Sequence, residues 1–515
     1  MLRIRLTFFS GLVFVGLLIG SSVSAQSTSG PETVLFPFDD YALPFNKGLL
    51  LNLIPGRKTK ADRGGGSDPE HPGKPVLLPG DPGAPDHPRL YYYGTVLHIN
   101  GEYRMWYTGY DRNGKRLVCY AVSEDGVKWT KPNLGLVQYN GNTNNNLPTI
   151  DGTSVPGVVS LVLYEPDDPN PDRRYKMIRE IHPRLIKAAY SPDGLHWTES
   201  SNNPIIRGSG LEPSGLIRFQ GVYYLNGQAG PIPHPIKGGR KRMMVTYASY
   251  DFDHWTQAAH LSFRRDNFPP RPPTDFEVHQ GEQVHVGASL WDRGNVVIGI
   301  YGQYHNRTND RRFATVDLGL VVSHDAVHFR EPIPDFKMIP YAEESDDAEP
   351  RLLQGQGFEN IGDRTFIWYS VWPAWHLVRD ADHIQPYGPN GIRMATWPRD
   401  RLGYFSPGAN ERNAHCISSP VTTQGPGRQV FINADGLSDS SRLRVEILNE
   451  RFEPMPGYSG GDCIPVVRSA LRQQVAWRGR QSLEDIDHPI RIRVEWEGPD
   501  NENARLFAVY VGNSN

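Results

Sequence analysis

Cysteine is almost absent from this chain: Cys119, Cys416 and Cys463 are the only three in 515 residues. So few exclude a disulfide framework, and none has metal-ligand spacing. Cys119 lies mid-strand and reads as a small buried residue, while Cys416 and Cys463 share the C-terminal region and could pair. An excess of one charge is also missing. The net charge is −3, from 54 basic and 57 acidic side chains. That excludes the basic footprint of a nucleic-acid binder and gives no reason to expect an anionic membrane surface as partner. Long apolar runs are confined to the beginning. Arg3 and Arg5 precede an apolar stretch from Leu6 to Ile19, and Val23-Ser24-Ala25 offers a small-residue exit before Gln26. The stretch is short for a membrane span, so residues 1–25 read as a signal peptide and not as an anchor. No Cys follows the cleavage site, which argues against a lipoprotein. The expected product is secreted or periplasmic, with no membrane attachment after cleavage.

What is abundant is turn-forming residues. Gly (52) and Pro (44) are frequent, apolar content is 38% and mean hydropathy is −0.51. Those values suit a β-rich protein of many short strands and long polar loops. The length is too great for one ordinary core. Four copies of one pattern organise it: SEDGVKWT from Ser123, SPDGLHWT from Ser191, SYDFDHWT from Ser249 and SHDAVHFR from Ser323. Each is Ser-x-Asp, a turn and an aromatic, and each follows an alternating β-run (RLVCYAV, RLIKAAY, RMMVTYA, LGLVV). The Ser and Asp side chains suit capping of their own turn, and the aromatic suits packing between repeats. A strand repeat of roughly 60–70 residues is the mark of a propeller or solenoid.

Five repeats can be laid out from Leu90, with hairpin turns at Asn100-Gly101, Gln220-Gly221, Arg293-Gly294 and Gly362-Asp363. The fifth lacks the Ser-x-Asp box and carries WPRD in its place. The predicted fold is all-β: an arm and Gly/Pro-rich loop over 26–84, a five-bladed β-propeller over 85–407, and an antiparallel β-sandwich over 408–515. The sandwich reads as a brace for the propeller.

In a propeller, side chains at the starts of the innermost strands converge on the axis, so chemistry is sought there. Blade three offers Glu212 in GLEPSGLIRFQGVYYLNG; blade four offers Glu282 and His285; blade one offers Asp86 to Tyr93; blade five offers Gln354, Gln356 and Glu359. Glu277, His279, Glu282 and His285 raise the idea of a metal site, but their spacing matches no ligand motif, and a polar wall for sugar hydroxyls is the preferred reading. Tyr91 to Tyr93, Trp372 and Trp375 are sugar-stacking candidates or plain core.

The blade layout, with RMWYTGY…AVSEDGVKW in blade one and LEPSGLIRFQGVYYL in blade three, resembles the five-bladed glycosidases of glycoside hydrolase families 32 and 43. The likeness spans roughly residues 85–515, and a sandwich after the propeller is similar to the family 32 arrangement. The resemblance implies a carbohydrate substrate and a pair of carboxylates flanking the scissile bond. Of the family acids only the blade-three Glu carries over, onto Glu212. The blade-one register falls near Tyr92, and blade two reads VPGVVSLVLYE with no acid before its last residue. The expected site therefore has Glu212 as acid, with Glu282 or Asp86 as partner. Tyr92, His285, Gln356, Glu359 and Arg393 are expected to bind substrate. No cofactor is called for; a structural Ca²⁺ in the axial channel is compatible with the fold, but no ligand set marks it. A non-catalytic carbohydrate-binding propeller is the alternative. A sialidase-like hydrolase would need an arginine cluster, for which Arg89, Arg104, Arg218 and Arg393 are the candidates. Nothing in the sequence speaks to oligomeric state.

Overall fold

A computed structural model describes residues 32–56, 75–111, 113–181, 185–207, 211–228, 242–265, 280–308, 310, 313–341, 351–371, 391–422, 427–484, 486 and 488–513. The leader, Glu277, His279, Trp372 and Trp375 lie outside them.

Five antiparallel meanders occur among the described residues. Their first strands are Pro88–Ile99, Ser160–Tyr164, Glu212–Phe219, Gly281–Asp292 and Leu352–Ile361. These five contact one another in a closed ring, the arrangement of a propeller. The first and last meanders are joined by a parallel bridge, Gln356 to Thr95. Two of the four predicted tight turns form as left-handed pairs: Asn100 and Gly101 have φ of 52° and 83°, Gln220 and Gly221 of 49° and 85°. Those angles match the right-handed twist of the flanking strands. At Arg293-Gly294 and Gly362-Asp363 only the glycine is left-handed.

The Ser-x-Asp boxes are turn caps. In blade one the Ser123 hydroxyl accepts from the Gly126 N–H at 2.9 Å, and Asp125 accepts from Val127 and Lys128 N–H at 2.8 and 2.7 Å. The turn's glycine carbonyl accepts from the box's own Trp (Trp129 to Gly126 O at 2.9 Å, Trp197 to Gly194 O at 3.0 Å) and also serves the neighbouring blade. Trp368 of blade five donates its indole N–H to Gly126 O at 3.0 Å, and Trp106 of blade one donates to Gly194 O in the blade-two box at 2.9 Å. One motif closes its own turn and holds the adjacent blade.

The C-terminal region forms two sheets, but the N-terminal arm is part of them. Thr33–Leu35 and Leu49–Leu53 join the sheet of Arg505–Gly512, and Phe45–Lys47 joins that of Arg491–Glu497. Gly403–Pro407, expected at the end of the propeller, also belongs to the first of these sheets. Such pairings, hundreds of residues apart, leave no local signal in sequence. Cys416 and Cys463 are free thiols buried in the sandwich core. The sandwich is locked to the propeller through buried Asp400. That carboxylate pairs with Arg293 of blade four and accepts from Asn360 of blade five at 3.0 Å and Tyr510 of the sandwich at 2.9 Å. The arm adds Asp39, whose buried carboxylate meets His324 at 2.8 Å and Arg330 at 3.1 Å.

Four of the five inner strands are interrupted by a bulge: Tyr91/Thr95, Pro213/Gly215, His285/Ala288 and Gln354/Phe358. Gly94 shows why small residues sit there, since a Cβ would fall 1.7 Å from Trp106 O. Backbone groups freed by the bulges are taken by side-chain amides. Asn226 accepts from Ala288 N–H at 3.0 Å, and Gln354 donates to His285 O and Gly287 O at 3.1 and 2.6 Å. Gln356 accepts from Leu216 and Leu290 N–H and donates to Leu290 O at 2.6 Å. A Gln356→Leu variant leaves those buried groups without partners and is expected to lower unfolding stability by at least about 2 kcal/mol. Urea denaturation measures this; an unchanged midpoint would show that the staple is dispensable.

Candidate active site at the inner-strand starts

Glu212 opens the inner strand of blade three and is half-buried. Its carboxylate receives one donor per oxygen: Tyr93 OH at 3.4 Å on Oε1 and Gln228 Nε2 at 3.2 Å on Oε2. Gln228 is its cross-strand partner, and the Gln228 carbonyl oxygen is held by the Val286 N–H of blade four at 3.0 Å. That bond fixes which end of the amide faces Glu212. Tyr93 is buried; burial first, then the charges of Glu212 and Glu180 with the nearby Tyr91, lifts its pKa well above the ordinary phenol value. It therefore remains a proton-bearing donor at neutral pH.

Glu180 is the residue that the sequence reading missed. It lies near the end of blade two's second strand, is 7% exposed, and its charge reaches the Tyr93 hydroxyl. Alternation in RYKMIREI puts it on the same face as Ile178, which belongs to the core shared with Tyr91, Tyr93 and Leu211. An acid in line with a core-facing residue was the available signal.

The other expected residues separate into groups. His285 stays beside this mouth, buried in the blade-four bulge next to Val286 and 6.5 Å ring to ring from Tyr304. Arg393 is buried in the third strand of blade five, opposite Tyr369, which is opposite Gln354. It stands two strands out from the axis. Tyr92 is fully buried between blades one and five, and its hydroxyl donates to Gln356 O at 3.2 Å, so it packs and does not face substrate. Gln356 is occupied by the ring staple described above.

Asp86 does not join Glu212. It is fully buried against Lys131, with Tyr107 OH at 2.8 Å and Gly80 N–H at 3.0 Å. Tyr107 lies in the core of blades one and five, whereas Tyr93 lies in a different core. Asp86→Asn is expected to cost about 3 kcal/mol of stability, because it leaves the Lys131 charge without its partner. A melting temperature equal to wild type would contradict that role.

Glu282 is also engaged elsewhere. It pairs with His305 Nδ1 at 2.5 Å and Arg265 at 3.5 Å, while His305 Nε2 meets Asp317 at 3.2 Å. Burial opposes the imidazolium of His305, but Asp317 and Glu282 outweigh it and hold the pKa above the ordinary value. Glu282, His305 and Asp335 bring ligand atoms within 4.8 Å of one another. Arg265, nearly fully buried and bonded to Asp335, already supplies the positive charge there. This is a charge network between blade four and Arg265, which follows the outer strand of blade three, Thr256–Phe263.

Glu359 lies past the blade-five bulge, at the opposite end of the axis from Glu212. Burial raises its pKa to about 7. A carboxyl raised on folding makes stability fall as pH climbs between the unfolded and folded values, here 4.5 and about 7. Glu359→Gln removes that dependence. The variant is expected to gain up to about 3 kcal/mol on wild type between pH 5 and 8, and parallel pH–stability curves would contradict the assignment.

The four sialidase-type arginines do not converge. Arg104 pairs with Glu102 and Arg218 with Glu165, and Arg218 lines the far end of the axis.

No family model matches the chain, and no curated protein matches it. Solved structures are similar at low identity. One is from the GH130 family of mannoside phosphorylases, described as containing glycoside hydrolases that target β-1,2 mannosidic linkages in Candida mannan. It has 13% identity and a TM-score of 0.40, over 67% of this chain and 97% of that one. A family 43 arabinoxylan arabinofuranohydrolase from Bacillus subtilis has 9% identity and a TM-score of 0.36, over 86% and 99%. A family 32 β-fructofuranosidase from Bombyx mori has 10% identity and a TM-score of 0.38, over 87% and 95%. Likeness at this level carries no argument about reaction or substrate.

Proposed function

We infer that this protein is an exported glycoside hydrolase-like enzyme acting on a poly- or oligosaccharide at the Glu212 mouth of the propeller. The observation that carries the reading is the oriented Glu212 carboxyl, bracketed by Tyr93 and Gln228, with the buried Glu180 close to the same tyrosine. Glu212 serves as proton donor to the leaving glycosidic oxygen. Glu180 takes the role of second carboxylate, as nucleophile or as base towards water. Tyr93 and Gln228 hold Glu212 in one orientation, and each of its oxygens keeps a free position that can carry the proton it delivers to the leaving oxygen. The leader-type segment before Gln26 supports export to a secreted or periplasmic location.

A non-catalytic carbohydrate-binding propeller is the second reading. It is favoured by the lack of an acid at the inner-strand starts of blades one and two, Pro88–Tyr93 and Ser160–Leu163. Release of new reducing ends from a broad panel of plant, algal and animal glycans separates the two. Glu212→Gln and Glu180→Gln are each expected to lower turnover at least about 100-fold while leaving glycan affinity within a few-fold. Glycan binding by the wild type without any release of reducing ends would establish the binding module.

A further inference from the structure

The far end of the axis holds a cavity of about 710 Å³, walled by the C-terminal ends of the five inner strands. Val96, Val162, Leu216, Leu290 and Phe358, one from each blade, give it an apolar floor. Gln356, stapled across the ring, separates that floor from the strand-start side. Two chemical features decide what such a chamber can hold.

The first is that its aromatic rings are engaged. Phe358 stacks on Trp291 at 5.2 Å and 9°, and the Arg293 guanidinium lies over the same indole at 4.4 Å. Tyr164 packs on Tyr175 at 4.6 Å, and Tyr223 has Phe252 at its edge and Arg218 over its face. These contacts reduce the aromatic face left for a sugar ring to stack on.

The second is an uneven charge balance. Glu165 and Asp168 are neutralised by Lys176 at 2.7 and 2.5 Å, and Glu165 also by Arg218 at 2.8 Å. Glu359 and Asp292 line the same cavity and form no direct ion pair among the described residues; the charges of Arg399 and Arg293 reach Glu359, and that of Arg293 reaches Asp292, without outweighing burial. Burial lifts both carboxyls above their ordinary pKa, Glu359 to about 7, so an incoming cation relieves a desolvation cost already present.

We propose that this far chamber is a second ligand site, for a primary alkylammonium ligand whose apolar stem rests on the floor and whose ammonium meets Glu359. Asp292 adds to the negative field. The hydrolase reading uses no residue of this chamber, so the two stand or fall separately.

Calorimetric titration of the full chain at about pH 8, where Glu359 is mostly ionised, tests it with butylamine and with 1-butanol as neutral control. Saturable binding of butylamine alone is expected, weakened about 10-fold or more by Glu359→Gln and unchanged by Glu502→Gln on the sandwich surface. Asp292→Asn is expected to weaken it by a smaller factor, and it serves as the test variant should Glu359→Gln not fold. No saturable binding of the amine by the wild type, equal binding of the alcohol, or amine affinity unaffected by both cavity variants would overturn the proposal.

Discussion

The propeller depends on the amide staples at its bulged inner strands. Apart from the Gln356–Thr95 bridge, the innermost strand of a blade has no sheet neighbour on its axial side, so its edge, together with its bulge, leaves N–H and C=O groups buried without a ladder partner. Here Asn226, Gln228 and Gln354 supply the missing partners from adjacent blades, and Gln356 reaches across the axis from blade five to blades three and four. Each amide is both donor and acceptor, so one side chain can serve two strands. Closing the ring and filling the axis are thereby one operation. The site inherits its geometry from it: Gln228 is held by Val286 of blade four on one side and presents its NH₂ to Glu212 on the other.

The same filling divides the axis chemically. At the strand starts lies Glu212 with Tyr93, Gln228 and Glu180, an arrangement of oriented donors around a half-exposed acid. At the strand ends lies an apolar-floored cavity with carboxylates that burial has pushed towards neutrality. The two ends differ in what they offer: hydrogen-bond direction at one, carboxyls held back from ionisation by burial at the other. A carboxylate's environment, more than its presence near an axis, sets its task.

Much of the fold was legible because its signals are local. The Asn100-Gly101 and Gln220-Gly221 turns and the Ser-x-Asp caps each act within a few residues, and the structure uses them as read. The arm was legible as an arm but its place in the sandwich sheets was not, because Thr33–Leu35 pairs with Val509–Val511 at the other end of the chain. In the site, Glu212 was found because it opens a strand. Gln356 and Glu359 were assigned to the same mouth because alternation gives a residue's face and says nothing of its depth along the axis. Bulges compound the error: between Gln354 and Phe358 three residues stand opposite one on the partner strand, and the two extra residues shift everything beyond them. Asp86 and Glu282 were chosen for charge and proximity in sequence, yet each has a cationic partner, half-buried Lys131 for Asp86 and buried Arg265 for Glu282, which only the packed structure reveals. Glu180 escaped notice because it comes from a second strand, where no convergence was expected.

The central claim is that the strand-start mouth, between Glu212 and Glu180, is where saccharide is handled. Crystals of Glu212→Gln soaked with an oligosaccharide that the protein binds would test it most directly. The account predicts density for a glycosidic oxygen within hydrogen-bond reach of residue 212, with Glu180 on the other side of the bond. Sugar found instead on the sandwich, or in the far cavity beside Glu359, would contradict it.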